Sequence, residues 1–178
     1  QKISNSYDSS SWIFSTIKTL DLLRLETISF FLNNINPSVI VNCAAYTNVD
    51  KAETEPKLAN TINYKAVDII SRWTSFNQKK LIHISTDYVF DGLSKLPLSE
   101  NSITKPVNEY GSSKLKGEIA CLKNDPNLIV IRTSWLYSSF GKNFVKTMID
   151  LMKKNKSVKV INDQIGSPTY AHDLARLI

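Results

Sequence analysis

The sequence predicts an α/β fold, a doubly wound parallel sheet of the Rossmann-like type. Short apolar runs alternate with amphipathic helical stretches along all 178 residues, which is typical of parallel strands joined by right-handed helical crossovers. No repeat, low-complexity tract or Pro/Gly-rich linker interrupts this alternation, so we expect a single domain over residues 1–178. Polar residues directly follow several apolar runs, at the edge where ligands of such sheets bind.

Five apolar segments have the length and composition of strands. They are SWIF (11–14), SVIVNCA (38–44), KLIHIS (80–85), NLIVIRT (127–133) and SVKVIN (157–162).

Four segments between the strands are predicted to be helical. They are LETISFFLNNI (25–35), which ends at the Asn36-Pro37 turn; residues 55–76, with Pro56 near the first turn; a helix beginning near Asn108; and NFVKTMIDLMKKN (143–155). The apolar face expected for residues 55–76 consists of Leu58, Ile62, Ala66, Ile69, Ile70 and Trp73.

Composition excludes several classes of function. The chain is 42% hydrophobic and 21% charged, ordinary values for a soluble globular protein, and its apolar runs are too short to span a bilayer. Its net charge of +6 comes from scattered lysines without interleaved aromatic residues, which argues against nucleic-acid binding. Cys43 and Cys121 have neither metal-ligand nor disulfide-framework spacing, so we expect no metal and a cytoplasmic location.

Tyr110 and Lys114 form the most chemically suggestive pair. They are four residues apart at the start of a predicted helix and therefore share one face. A phenol with a pKa of about 10 becomes a better acid beside an ammonium group, which lowers that pKa. Thr86, at the end of the preceding strand, could share the same carbonyl oxygen. The alternatives are a solvated helix face and a polar turn at Thr86 and Asp87.

Five sequence blocks follow one another in order along the chain. They are VNCAAYTNVDKAE (41–53), HISTDYVFDG (83–92), NEYGSSKLKGE (108–118), RTSWLYSSFGKNFVKTM (132–148) and DQIGSPTYAHDLA (163–175). At compatible spacing, these blocks resemble the extended short-chain dehydrogenase/reductases, and within them the branch that reduces dTDP-4-dehydro-L-rhamnose. The resemblance implies hydride transfer from NADPH or NADH to carbon 4 of a dTDP-sugar. It also implies a substrate-binding part that begins near residues 163–178, and a homodimer.

The resemblance further assigns roles to individual residues. Tyr110 would be the proton donor, Lys114 its electrostatic partner and a ligand of the nicotinamide ribose, and Thr86 the group that polarises the sugar carbonyl. Substrate contacts would come from Asp87, Tyr88 and Trp135, although a tryptophan after a strand also suits the core. Cofactor contacts would come from Asp21, Leu22, Ala45, Tyr46, Thr47 and Ile84, in addition to Tyr110 and Lys114.

The sequence departs from the family pattern in its glycines. The glycine-rich turn that binds the pyrophosphate in this family has no counterpart, since no glycine precedes Gly92. We therefore expect an internal portion of a longer enzyme, and poor dinucleotide binding by this polypeptide. Ser15, Thr16 and Lys18 follow the first predicted strand without a carboxylate, which favours NADPH or dual use.

Two other functions compete with reduction. Nucleotide-sugar dehydratases of this fold have Asp-Glu after the threonine at the end of the strand, whereas this chain has Asp87 and Tyr88. A non-catalytic subunit such as the regulatory subunit of methionine adenosyltransferase also carries a stretch similar to SDYVFDG. Two blocks, RTSWLYSSFGKNFVKTM and DQIGSPTY, favour the reductase.

Overall fold

The computed structural model describes residues 12–178, which form two compact units. Residues 14–132 make up the first, which we call the sheet unit. Residues 133–178, with Trp12 and Ile13, make up the second unit. Each is described by itself.

The sheet unit is built on three strands in the order β1-β2-β3. They are β1 (Val39–Asn42), β2 (Lys80–Thr86) and β3 (Ile129–Thr133). Strands β1 and β2 are parallel, and their register pairs Val39 with Lys80 and Asn42 with His83. Since parallel strands end at the same edge, the residues after Asn42 and Thr86 lie at one edge of the sheet.

Five α-helices belong to the sheet unit. They are α1 (Leu25–Ile35), α2 (Val49–Thr54), α3 (Pro56–Asn60), α4 (Ala66–Phe76) and α5 (Glu109–Asn124). Helix α1 ends as predicted, at Asn36, which adopts a left-handed conformation with a φ of 46°. Helix α1, helix α4 and strand β2 bury one core containing Ile28, Ile70, Trp73 and Leu81.

A π-helical turn, Thr61–Lys65, joins α3 to α4 and changes which residues are buried. Ala66, Ile70 and Trp73 of the predicted apolar face are buried, as expected. Before α4, however, the buried positions lie one residue later than predicted. Ala59, Asn63, Val67 and Ser71 are buried, whereas Leu58, Ile62 and Ile69 are only half-buried. A single π-turn inserts an extra residue, so a regular helical period cannot continue through it.

The second unit contains two short strands and two helices. They are β4 (Leu136–Tyr137), α6 (Phe144–Lys154), β5 (Thr169–Tyr170) and α7 (Ala171–Leu177). The strands pair in parallel, with Leu136 opposite Thr169 and Tyr137 opposite Tyr170. The two tyrosine rings stack with centroids 5.4 Å apart.

Two predicted strands are wrong in the described part of the chain. Within SWIF, Ser11 lies outside the described residues, and Trp12–Phe14 is irregular with Ile13 and Phe14 exposed. The segment SVKVIN is also irregular, with Val160 and Ile161 exposed. Short apolar runs are ambiguous because a strand forms only where a partner strand aligns with it.

The remaining predicted strands and helices are confirmed within about two residues. No helix among residues 12–178 is long and apolar enough to cross a membrane.

Candidate functional site

The site begins where β2 ends. Thr86, 6% exposed, is the last residue of β2 and caps a 3₁₀ turn, Asp87–Val89, by accepting a hydrogen bond from the Tyr88 amide at 3.3 Å. The Thr86 hydroxyl also donates to Asp87 Oδ1 at 3.2 Å. Burial raises the pKa of Asp87, and its hydrogen bond from Thr86 partly opposes that change. Thr86 therefore presents its hydroxyl between a backbone amide and a half-buried carboxylate.

Helix α5 brings Tyr110 to the same place. Asn108 caps the helix by accepting from the Gly111 amide at 2.7 Å, and Glu53 accepts from the Glu109 amide at 2.8 Å. Gly111 permits a very close approach, because a Cβ there would lie 2.1 Å from the carbonyl oxygen of Tyr88. The start of α5 is thus packed directly on the turn that follows β2.

Three tyrosines meet around this contact. Tyr88 and Tyr110 pack edge to face, with centroids 5.5 Å apart and planes at 75°. Tyr46 joins them, together with Ala52 and Ala59, in one hydrophobic cluster. Residues from the ends of β1 and β2 and from the start of α5 are therefore gathered in one place.

Tyr110 is a protonated phenol with a raised pKa. Burial is the main cause, and the negative charge of Asp87 adds to it, while the hydrogen bond between Tyr110 and Thr86 acts in the opposite direction. We predicted that the Lys114 ammonium would lower this pKa. The structure contradicts that expectation, since loss of solvation on burial outweighs the groups that favour the phenolate.

Lys114 is buried, and its ammonium group contacts Ile84 and His83 of strand β2. Nζ donates to the carbonyl oxygen of Ile84 at 2.7 Å and lies 3.5 Å from Nε2 of His83. Burial lowers the pKa of Lys114 to about 8, although the nearby carboxylate of Glu118 raises it. Ile84, predicted as a cofactor contact, thus contributes a carbonyl that holds Lys114.

The loop after β1 contains three further predicted cofactor residues, Ala45, Tyr46 and Thr47. Asn63 clamps its backbone by accepting from the Tyr46 amide at 2.8 Å and donating to the Tyr46 carbonyl at 3.0 Å. The Tyr46 hydroxyl donates to Glu55 at 2.5 Å, and this hydrogen bond raises the pKa of Tyr46 to about 12. Thr47 is exposed, so one side of the loop is held by Asn63 while Thr47 remains open to solvent.

The remaining predicted contacts lie elsewhere. Asp21 accepts from the Leu23 amide at 3.0 Å and lines a cavity of about 410 Å³ beside α1, whose lining includes neither Thr86 nor Tyr110. Leu22 is half-buried and packs on the core around Ile28.

Trp135 belongs to the second unit. It has a φ of 45°, unusual for a bulky residue, and is 42% exposed. Its indole lies over Gly166, where an added Cβ would be 2.9 Å from the ring.

Four residues of the sheet unit escaped the sequence analysis: Asn42, Asn63, His83 and Glu118. All are buried polar side chains that contact the candidate site or its supports. The sequence feature that could have identified such residues is a polar residue inside an apolar run, such as the histidine in KLIHIS. Within the described residues, no group of three or more His, Cys, Asp and Glu side chains could hold a metal ion.

Comparison with known proteins identifies the family to which the chain is similar. The chain is 46% identical over 155 residues to dTDP-4-dehydrorhamnose reductase of Salmonella typhimurium, a match covering 87% of the chain and 52% of that protein. It is 42% identical over 163 residues to the reductase of the same name from Escherichia coli K12, covering 92% of the chain and 54% of that protein. The chain thus spans about half the length of these curated relatives.

Solved structures agree with the sequence matches. A dTDP-4-dehydrorhamnose reductase from Clostridium acetobutylicum superimposes with a TM-score of 0.93 at 38% identity, over 99% of this chain and 63% of that one. The Bacillus anthracis reductase, solved in complex with NADP, gives 0.90 at 37% identity, over 99% and 64%. These matches confirm the predicted Rossmann-like α/β fold. The sequence profile of the RmlD substrate binding domain matches residues 2–178, and the chain therefore belongs to that family.

Proposed function

We propose that the full-length protein reduces dTDP-4-dehydro-L-rhamnose to dTDP-L-rhamnose with NADPH or NADH, and so supplies a sugar donor for surface polysaccharides. The proposal is supported by the hydrogen bond between Thr86 and Tyr110, and by the binding of the Lys114 ammonium to the carbonyl of Ile84 near the end of β2. The chain is also similar to reductases of that name. Each side chain has a distinct task in such a reaction.

Tyr110 is the proton donor. In reduction of a ketone, hydride adds to the carbonyl carbon while a proton goes to the carbonyl oxygen, which becomes a hydroxyl. A phenol is protonated near neutral pH, the state that a general acid needs, and the raised pKa of Tyr110 leaves it in that state. Thr86 polarises the same oxygen, because its hydroxyl proton can move from Asp87 to the substrate.

Lys114 binds the nicotinamide ribose. Its ammonium has three donors, of which Ile84 accepts one, so donors remain for a hydroxylated ligand. The dinucleotide, when bound, supplies the hydride. The loop Ala45 to Thr47 fits such a ligand because Asn63 holds its backbone at Tyr46 while Thr47 is exposed, and Asp21 and Leu22 would contact the adenine.

Substrate contacts come from Asp87, Tyr88 and Trp135. Tyr88 also argues against a dehydratase, because elimination of water needs a carboxylate at that position and a phenol packed against Tyr110 cannot replace it.

We further propose that residues 1–178 form one partial NAD(P)-binding domain, with the substrate-binding part beginning near 163–178. A homodimer and a cytoplasmic location complete the proposal.

The test is an assay of the full-length protein with dTDP-4-dehydro-L-rhamnose, following NADPH absorbance. Tyr110→Phe should lower kcat/KM by about 10²- to 10⁴-fold, the usual worth of a general acid. Tyr64→Phe, which removes a half-buried phenol of the same unit, is the control and should keep the parent rate. Unchanged turnover in Tyr110→Phe would remove Tyr110 from its role. No NADPH oxidation by the parent would overturn the reductase assignment and favour a binding subunit.

A further inference from the structure

Three polar side chains form a buried row behind the candidate site. Asn42 at the end of β1, His83 in β2 and Lys114 in α5 are 5%, 0% and 2% exposed. The strand register sets Asn42 beside His83, with Asn42 Nδ2 3.2 Å from His83 Nδ1. On the other side of the ring, His83 Nε2 lies 3.5 Å from Lys114 Nζ.

The row has a defined hydrogen-bond direction. Asn42 Oδ1 accepts from the Ala44 amide at 3.2 Å, so the amide nitrogen of Asn42 is the atom that faces His83. An amide nitrogen only donates, and His83 Nδ1 must therefore accept. Burial and the charge of Lys114 lower the pKa of His83 to about 3, so the ring is neutral. The single proton of the imidazole is consequently on Nε2.

This tautomer decides what Lys114 can bind. Both Nε2–H and the ammonium are donors, and two donors facing each other at 3.5 Å make no hydrogen bond. The acceptor that remains is the carbonyl of Ile84, at 2.7 Å. The other titratable groups that act on Lys114 are Glu118 and Cys121 on α5 and Cys43 after β1, and each raises its pKa.

We propose that Asn42 and His83 are positioning residues. Asn42 fixes the Nε2–H tautomer of His83, so Nε2 cannot accept a hydrogen bond from Lys114. The ammonium group therefore binds the carbonyl of Ile84, one helical turn from Tyr110. The importance of this contact for turnover rests on the proposed function, but the tautomer and the Lys114 contact do not.

Asn42→Asp tests the tautomer directly. A carboxylate can accept from both the Ala44 amide and the imidazole, so it should draw the His83 proton to Nδ1 and turn Nε2 into an acceptor for Lys114. We would record ¹⁵N NMR spectra of the full-length protein labelled at histidine, with His83 assigned from the signals lost in His83→Gln. The parent should show Nε2–H and the variant should show a protonated Nδ1. Either an Nδ1–H tautomer in the parent or an unchanged tautomer in Asn42→Asp would overturn the proposal.

The consequence for Lys114 is measured by its own titration, followed through the ¹³Cε resonance. Because Asn42→Asp creates an acceptor, the pKa of Lys114 should rise by about one unit or more. Asn42→Asp combined with His83→Gln keeps the new charge but removes the imidazole, and should give less than half of that rise. An equal rise in both variants would show a charge effect and sink the positioning role. Neither measurement needs turnover, so an inactive parent would contradict the proposed function alone.

Discussion

Glu118 is a charged residue placed almost entirely inside the protein. It is 2% exposed, and both carboxylate oxygens accept from Arg132, with the shortest contact 2.7 Å. Arg132 also lies over the ring of Phe90 at 5.1 Å and donates to the carbonyl of Glu100. One ion pair therefore links β3 and α5 to the segment that follows the site.

Removing one member of this pair should be costly. Glu118→Gln preserves the shape of the side chain but leaves the Arg132 charge unpaired, and the free energy of unfolding should fall by about 3 kcal/mol, the low end for a broken buried pair because Arg132 is 23% exposed. Urea denaturation measures the change.

The matched control is Arg72→Ala. It breaks the ion pair with Asp68 on α4, in which the arginine is 68% exposed, and exposed pairs contribute about 0.5 kcal/mol. Equal losses in the two variants would show that burial does not strengthen the Glu118 pair.

At the scale of elements, the packing of α5 on the π-turn holds the site together. Asn63 on the π-turn binds the Tyr46 backbone and also donates to Ser113 of α5 at 2.9 Å. Gly117, one turn beyond Ser113, allows α5 to approach closely, because a Cβ there would lie 2.2 Å from the carbonyl oxygen of Asn63. The same turn that clamps the loop after β1 thus sets the position of the helix carrying Tyr110 and Lys114.

Gly117→Ala should therefore destabilise the protein. Alanine normally stabilises a helix by about 1 kcal/mol relative to glycine. Here the clash with a backbone atom should reverse the sign and lower the free energy of unfolding by about 1–3 kcal/mol. The measurement is the urea midpoint.

Ser112→Ala, at a half-buried position of the same helix, is the control and should stay within about 0.5 kcal/mol of the parent. A more stable Gly117→Ala protein would contradict the close contact.

The acid stability of the whole molecule should depend on His83. An unfolded chain binds a proton at His83 below about pH 6.5, whereas the folded protein does so only near its lowered pKa of about 3. The free energy of unfolding should thus fall as the pH drops from about 6.5 to about 3, by up to about 1.4 kcal/mol per pH unit. Urea denaturation of the parent and His83→Gln at several pH values isolates this contribution, and parallel curves would contradict it.

Most secondary structure was predictable because its signals are local. The capping residue Asn108 predicts the start of helix α5, and turn residues flank the apolar runs of β1, β2 and β3. The two wrong strands and the shifted buried positions before α4 share one cause. Strand pairing depends on a distant partner, and the π-turn at Asn63 packs against α5, a contact that no local pattern encodes.

The amino-acid sequence alone therefore indicates the fold class, the family and three candidate catalytic side chains, Thr86, Tyr110 and Lys114. Their chemical states depend on the folded structure. Burial raises the pKa of Tyr110, against the expectation from spacing. The Lys114 ammonium lies beside His83, which no sequence signal singled out, and binds a backbone carbonyl. The spacing of residues along the sequence indicates which groups can meet. Proton affinity depends on solvation and on the direction of hydrogen bonds, and both are fixed only when distant segments pack together.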